Sequence, residues 1–123
     1  MHNNVFIFPG QGSQKIGMGK DFYDNSSLAK EMIDKASQRV GFDFTSLLFE
    51  ENDRLELTEF TQPAILLVSL VAHRLFTEQC TILPKAVLGH SLGEFSALSA
   101  AGAMDYLDAV ELVHQRGLLM KQA

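Results

Sequence analysis

The 123-residue chain predicts an α/β fold built on a parallel sheet, and three observations carry that expectation. Val5-Phe6-Ile7-Phe8 is a β-branched and aromatic run, too short for a helix, that breaks into Pro9-Gly10-Gln11-Gly12-Ser13-Gln14. A second apolar run, Ala86-Val87-Leu88, enters Gly89-His90-Ser91-Leu92-Gly93 and then a helix-forming segment over residues 94–101. The remaining sequence reads as helices, and strands separated by helices imply a parallel sheet covered on both faces. The length suits one domain with a real core and is too short for two ordinary ones.

Each element has its own signals. Asn25 or Ser26 caps a helix running to about Val40 and ended by Gly41, with Leu28, Met32, Ile33 and Ala36 as its apolar face. Residues 42–49 read as a short helical turn, and Glu50-Glu51-Asn52-Asp53 as a solvated acidic run. Thr61-Gln62-Pro63 begins the next helix with proline near its first position, continuing to about Gln79. That helix is apolar nearly all round, from Ile65 to Phe76, and is expected to be deeply buried. Pro84 closes a loop before the second strand, and Asp105 caps the last helix. Gly117 interrupts that helix at a cost of about 1 kcal/mol against alanine, which marks close packing.

A Gly-x-Ser-x-Gly motif carries chemistry only where a strand turns sharply into a helix. There the serine backbone is strained, and the flanking glycines are needed because side chains would collide across the turn. The helix that follows aims its first N–H groups at the serine, where a negative oxygen forms in acyl transfer. Ser91 is therefore a candidate nucleophile; the plainer alternative is a glycine-rich turn with an exposed serine. The loop after the first strand leaves backbone N–H groups at the sheet's C-terminal edge, where open α/β folds bind ligands. It lacks the Gly-Lys-Ser/Thr of a phosphate-binding loop.

Arg116 is the candidate that points to a substrate class. At about 100° per residue, Tyr106, Ala109, Val110, Val113, Gly117 and Met120 share one apolar arc of the last helix, which Arg116 continues between Ala109 and Leu112. A guanidinium keeps its charge, so turning it inward demands an anionic partner, and its planar fork suits a carboxylate. From the helix alone, an internal Asp or Glu would serve as well as a ligand.

Residues 9–14, Gly89-His90-Ser91-Leu92-Gly93-Glu94 and Arg116, taken together and in this order, resemble the malonyl-CoA:acyl carrier protein transacylases. The same pattern occurs in acyltransferase domains of polyketide and fatty acid synthases. The resemblance implies that residues 1–123 form the N-terminal part of an α/β-hydrolase-like acyltransferase domain. A ferredoxin-like subdomain, the C-terminal part of the core, a catalytic histidine and a supporting glutamine would then lie outside this sequence. The helical reading of residues 118–123, without a Gly or Asn cap, fits that expectation. By the same resemblance Ser91 is the nucleophile, the backbone N–H groups of Gln11 and Leu92 bind the oxyanion, and Arg116 grips the malonyl carboxylate. The family's arginine lies 25 residues after its serine, as here (116 − 91 = 25). The implied substrate is malonyl-CoA and the implied partner an acyl carrier protein bearing phosphopantetheine, with no metal and no cofactor.

Four histidines compete for the role of base. His90 adjoins Ser91, and strand neighbours point to opposite sides, so it suits lining the pocket or bracing the elbow better than taking the serine proton. His73 beside Arg74 reads as a satisfied structural histidine, His114 lies at the edge of the last helix, and His2 sits in the terminus. The expectation is a nucleophile without its base.

Composition excludes several other classes. Hydrophobic residues at 46% and charged residues at 20% are ordinary globular usage. A single cysteine, Cys80, permits no internal disulfide and favours a reducing, cytoplasmic setting; without an activating cation beside it, it is a poor catalytic thiol. Residues 1–4 lack the basic start of a signal peptide, and the apolar run 64–72 is broken by Ser69, so neither secretion nor membrane insertion is expected. A net charge of −5 argues against nucleic acid and requires that any patch for an acidic carrier be local. Two other classes share these features: a serine esterase, which needs the elbow but neither Arg116 nor the 9–14 loop, and a non-catalytic truncated interaction module.

Overall fold

A computed structural model describes residues 3–123, so His2 lies outside the described residues. Two strands, β1 (Val5–Phe8) and β2 (Ala86–Gly89), pair in parallel with Val5 opposite Ala86 and Phe8 opposite Gly89. Between them run α1 (Lys20–Asn25), α2 (Ser27–Val40), α3 (Phe44–Phe49) and α4 (Thr58–Gln79). After β2 come α5 (Leu92–Ala100) and α6 (Tyr106–Gln122). The α/β class and the parallel pairing are those the sequence predicts.

The core lies among the helices. Phe44, Leu47, Leu48, Ile33, Leu66, Leu67 and Val110 are all fully buried where α2, α3, α4 and α6 meet. Helix termini follow local chemistry. Ser26 Oγ accepts from Ala29 N–H at 3.1 Å, Asp43 from Thr45 N–H at 2.9 Å and Asp105 from Leu107 N–H at 3.0 Å. Gly41 ends α2 at φ 85°, a left-handed conformation that costs glycine nothing. On α2 the buried stripe is Ala29, Met32, Ile33 and Ala36, with Leu28 only half-buried at its margin.

The acidic run 50–53 is solvated as expected, with Glu50, Glu51 and Asp53 exposed, and Asn52 ties it to the chain. Its Nδ2 donates to the carbonyls of Leu47 and Glu50 at 2.9 and 2.8 Å, and its Oδ1 accepts from the N–H groups of Arg54 and Leu55.

Helix α4 begins at Thr58, not near Thr61, which puts Pro63 at its sixth residue. Proline there has no N–H for the carbonyl four residues back, that of Glu59. The orphaned Glu59 carbonyl is taken instead by His114 Nδ1 of α6, at 2.8 Å. That acceptor fixes the tautomer, since Nδ1 must carry the proton. Close approach of α4 and α6 makes this possible. A Cβ on Gly117 would lie 2.6 Å from Glu59 Cα and 2.9 Å from the Thr58 carbonyl, so only glycine fits.

The C-terminal half of α4 emerges from the core, with Phe76 exposed and Leu75 half-buried, and is not deeply buried throughout. By length and composition α4 would suffice to cross a membrane, although half of its most apolar window is already buried against this fold. His73, on the emerging half, is held by packing. Its ring meets Phe6 and Phe8 edge-on at 5.8 and 5.9 Å, and burial pushes its pKa below the ordinary imidazole value.

Finally, the sheet is covered on one face only. Phe6 and Phe8 turn toward α4, while Val5, Ile7 and Leu88 on the opposite face are 44%, 74% and 54% exposed.

Candidate active site

The segment joining β2 to α5 has the conformation the motif demands. Ser91 has φ 54° and ψ −110°, and it is the one non-glycine residue with positive φ among those described. Strain of this kind costs on the order of 1–3 kcal/mol and persists only where surrounding contacts enforce it. Here they are backbone contacts. A Cβ on Gly89 would fall 1.9 Å from the Gly93 carbonyl oxygen, and one on Gly93 would fall 2.2 Å from the Phe8 carbonyl oxygen. Gly10 approaches from the other strand, where a Cβ would lie 2.7 Å from the His90 carbonyl oxygen. The loop after β1 therefore abuts the elbow, and a Cβ is excluded at Gly10, Gly89 and Gly93.

Because Phe8 O belongs to the paired strand and cannot rotate away, Gly93→Ala is expected to destabilise the complete protein by about 1–3 kcal/mol or more. Chemical denaturation reads this as a lower midpoint. An unchanged midpoint would mean the elbow is looser than these contacts require.

Helix α5 starts immediately after the serine. The N–H groups of Gly93 and Glu94 are taken by the His90 and Ser91 carbonyls at 2.9 and 3.0 Å. Those of Leu92 and Gln11 have no hydrogen-bond partner among the described residues. The 9–14 loop is shaped internally: Ser13 Oγ donates to the Gly10 carbonyl at 3.0 Å and Gly12 N–H to Gln14 Oε1 at 2.7 Å. The His90 side chain is exposed and makes no hydrogen bond among the described residues, so bracing of the elbow falls to its backbone carbonyl.

Arg116 reaches this elbow from α6. Its Nη2 donates to Ser91 Oγ at 3.2 Å and its Nη1 to Gln62 Oε1 at 2.6 Å, with the guanidinium 5.3 Å from the centre of the Phe95 ring. No Asp or Glu forms an ion pair with it among the described residues. The internal salt bridge that the helix pattern left open is thus not made, and the inward cation faces neutral groups. Beside it lies an open hollow of about 420 Å³ lined by Phe95, Leu112, Leu119 and Met120. A second hollow, of about 490 Å³ between β1 and α4, contains none of the elbow residues.

Sequence reasoning missed Gln62 and Thr58, which join this site through α4. Gln62 read only as part of a helix start, and nothing in its own neighbourhood signals the contact with Arg116 across 54 residues. His114, at the edge of α6, serves the α4 carbonyl and not the serine.

The chain as a whole has counterparts among known proteins. The acyl transferase domain model matches residues 5–123. The chain belongs to the acyl transferase family. Over its whole length it is 46% and 45% identical to two malonyl CoA-acyl carrier protein transacylases of Bacillus subtilis. It covers 31% and 39% of those proteins, so it spans less than half the length of its relatives. The crystal structure of malonyl-CoA:acyl carrier protein transacylase from Helicobacter pylori superposes on 99% of the chain with a TM-score of 0.95 and 48% identity, again using 40% of that structure. A malonyl-transacylase solved in complex with its type II acyl-carrier protein matches 98% of the chain at 37% identity and a TM-score of 0.92. The chain is thus homologous along its full length to malonyl transacylases and corresponds to part of them.

Proposed function

We propose that residues 1–123 are the N-terminal part of an α/β-hydrolase-like acyltransferase domain that moves malonyl groups from coenzyme A to an acyl carrier protein. The ferredoxin-like subdomain and the rest of the core lie, on this reading, in the portion that the relatives have and this chain does not. The observation that carries it is Arg116 Nη2 within 3.2 Å of Ser91 Oγ, with no carboxylate among the described residues paired to it. In a malonyl thioester one methylene separates the free carboxylate from the attacked carbonyl. A cation beside the attacking oxygen is therefore at the matching distance, and a carboxylate can displace the weak Ser91 contact for a charge-assisted pair.

Ser91 Oγ attacks the thioester carbonyl as its proton passes to a base, a histidine outside these 123 residues. The N–H groups of Gln11 and Leu92 receive the oxyanion. Collapse expels the coenzyme A thiolate, which takes up a proton, and leaves a malonyl ester on Ser91. The carrier's phosphopantetheine thiol then attacks that ester, and the serine oxygen leaves with a proton. His90, exposed at the rim of the elbow, contacts substrate, and no metal or organic cofactor takes part. The setting is cytoplasmic fatty acid synthesis.

The complete protein given malonyl-CoA and phosphopantetheinylated carrier is expected to yield malonyl-carrier in large excess over free malonate, as resolved by mass spectrometry. Predominant free malonate would assign the site to a hydrolase, and no turnover to an interaction module.

A further inference from the structure

Gln62 has no exposed surface, and burying an amide is costly unless both its ends are bonded. Both are. A guanidinium can only donate, so Arg116 Nη1 at 2.6 Å fixes the Gln62 carbonyl oxygen toward α6. That leaves Nε2 to donate to Thr58 Oγ1 at 3.0 Å and to Met120 Sδ at 3.2 Å. Having accepted from Gln62, the Thr58 hydroxyl gives its own proton to Gln11 Oε1 at 2.9 Å. A one-way chain of donors therefore runs from Arg116 through Gln62 and Thr58 to Gln11, each bond polarising the next. It links α6, the first turns of α4 and the loop after β1. The buried carboxylate of the same region, Glu59, points to Lys121 at 3.7 Å instead.

We propose that Gln62 is a positioning residue that sets acyl-group selectivity. Its neutral oxygen holds the guanidinium in place without cancelling its charge, and its amide ties that placement to the loop bearing Gln11. The proposal rests on reading Arg116 as the carboxylate clamp. A carboxylate at position 62 would satisfy the guanidinium internally, and an anionic acyl group would then meet a neutral pair. Preference would move from carboxylated toward plain acyl groups.

The test is kcat/KM for malonyl-CoA and for acetyl-CoA in the complete protein, for Gln62→Glu and Gln62→Met. Both substrates are assayed on one preparation, so any loss of folded protein cancels in the malonyl-to-acetyl ratio. In Gln62→Glu that ratio is expected to fall about ten- to a hundredfold, chiefly through KM for malonyl-CoA. Gln62→Met leaves the cation uncompensated and is expected to keep more of the ratio. A wild-type ratio in Gln62→Glu, or an equal loss in Gln62→Met, overturns the proposal. Arg116→Ala assayed alongside separates the two ideas. If it removes the preference while Gln62→Glu retains it, only the role of Gln62 fails; if it leaves the preference intact, the clamp itself fails and Gln62 with it.

Discussion

Ser91→Ala in the complete protein is expected to abolish the acyl-enzyme and to slow malonyl transfer by on the order of 10⁴–10⁶-fold. Without carrier, malonyl-CoA should add one malonyl mass to the wild-type protein, on the peptide containing Ser91. The covalent intermediate is the only route by which two thiols exchange an acyl group without meeting in one site. The alternative acceptor is Cys80, half-buried at the C-terminal cap of α4. Label on Cys80, or label that survives the serine change, would overturn the assignment of Ser91.

Arg116→Ala is expected to separate selectivity from reactivity. It removes the charged fork while the strained turn, the glycines that enforce it and the two free N–H groups stay in place, since those rest on backbone contacts between β1, β2 and α5. Leaving a substrate carboxylate unpaired costs roughly 2–5 kcal/mol, about a thirty- to several-thousand-fold loss of kcat/KM for malonyl-CoA. Acetyl-CoA presents no carboxylate, so its use should fall little or rise. An equal fall for both substrates would return Arg116 to a structural role, one in which its bond to Gln62 serves packing alone.

What the sequence made legible was local. β1, β2, the caps at Ser26 and Asp105 and the stop at Gly41 each depend on a few adjacent residues, and each stands where the pattern puts it; the tight contact at Gly117 is made by distant Thr58 and Glu59, but a glycine inside a helix announces it. The turn at Ser91 was legible because the glycines that admit Phe8 O and Gly93 O are themselves part of the motif. What failed depended on distant partners. Pro63 signals a helix start near Thr61, yet α4 begins just under a turn earlier, at Thr58, and His114 takes over the carbonyl that proline strands. Asn52 sits among acidic residues that do face water, and its five-point embrace of the chain cannot be read from composition. Gln62 looked like filler because two of its partners, Arg116 and Met120, stand 54 and 58 residues away on α6. The expectation of a sheet covered on both faces came from the general behaviour of parallel strands; these 123 residues supply helices for one face.

The backbone at Ser91 carries a consequence for how such a protein can be improved. With φ at 54°, the position favours glycine, and Ser91→Gly would relax the turn while removing the hydroxyl. On the proposed function, screens that reward heat resistance alone would therefore drift toward a sturdier protein without its nucleophile. Thermal robustness and the proposed turnover then pull in opposite directions at one residue, and hardening the fold means holding Ser91 fixed and looking for gains elsewhere.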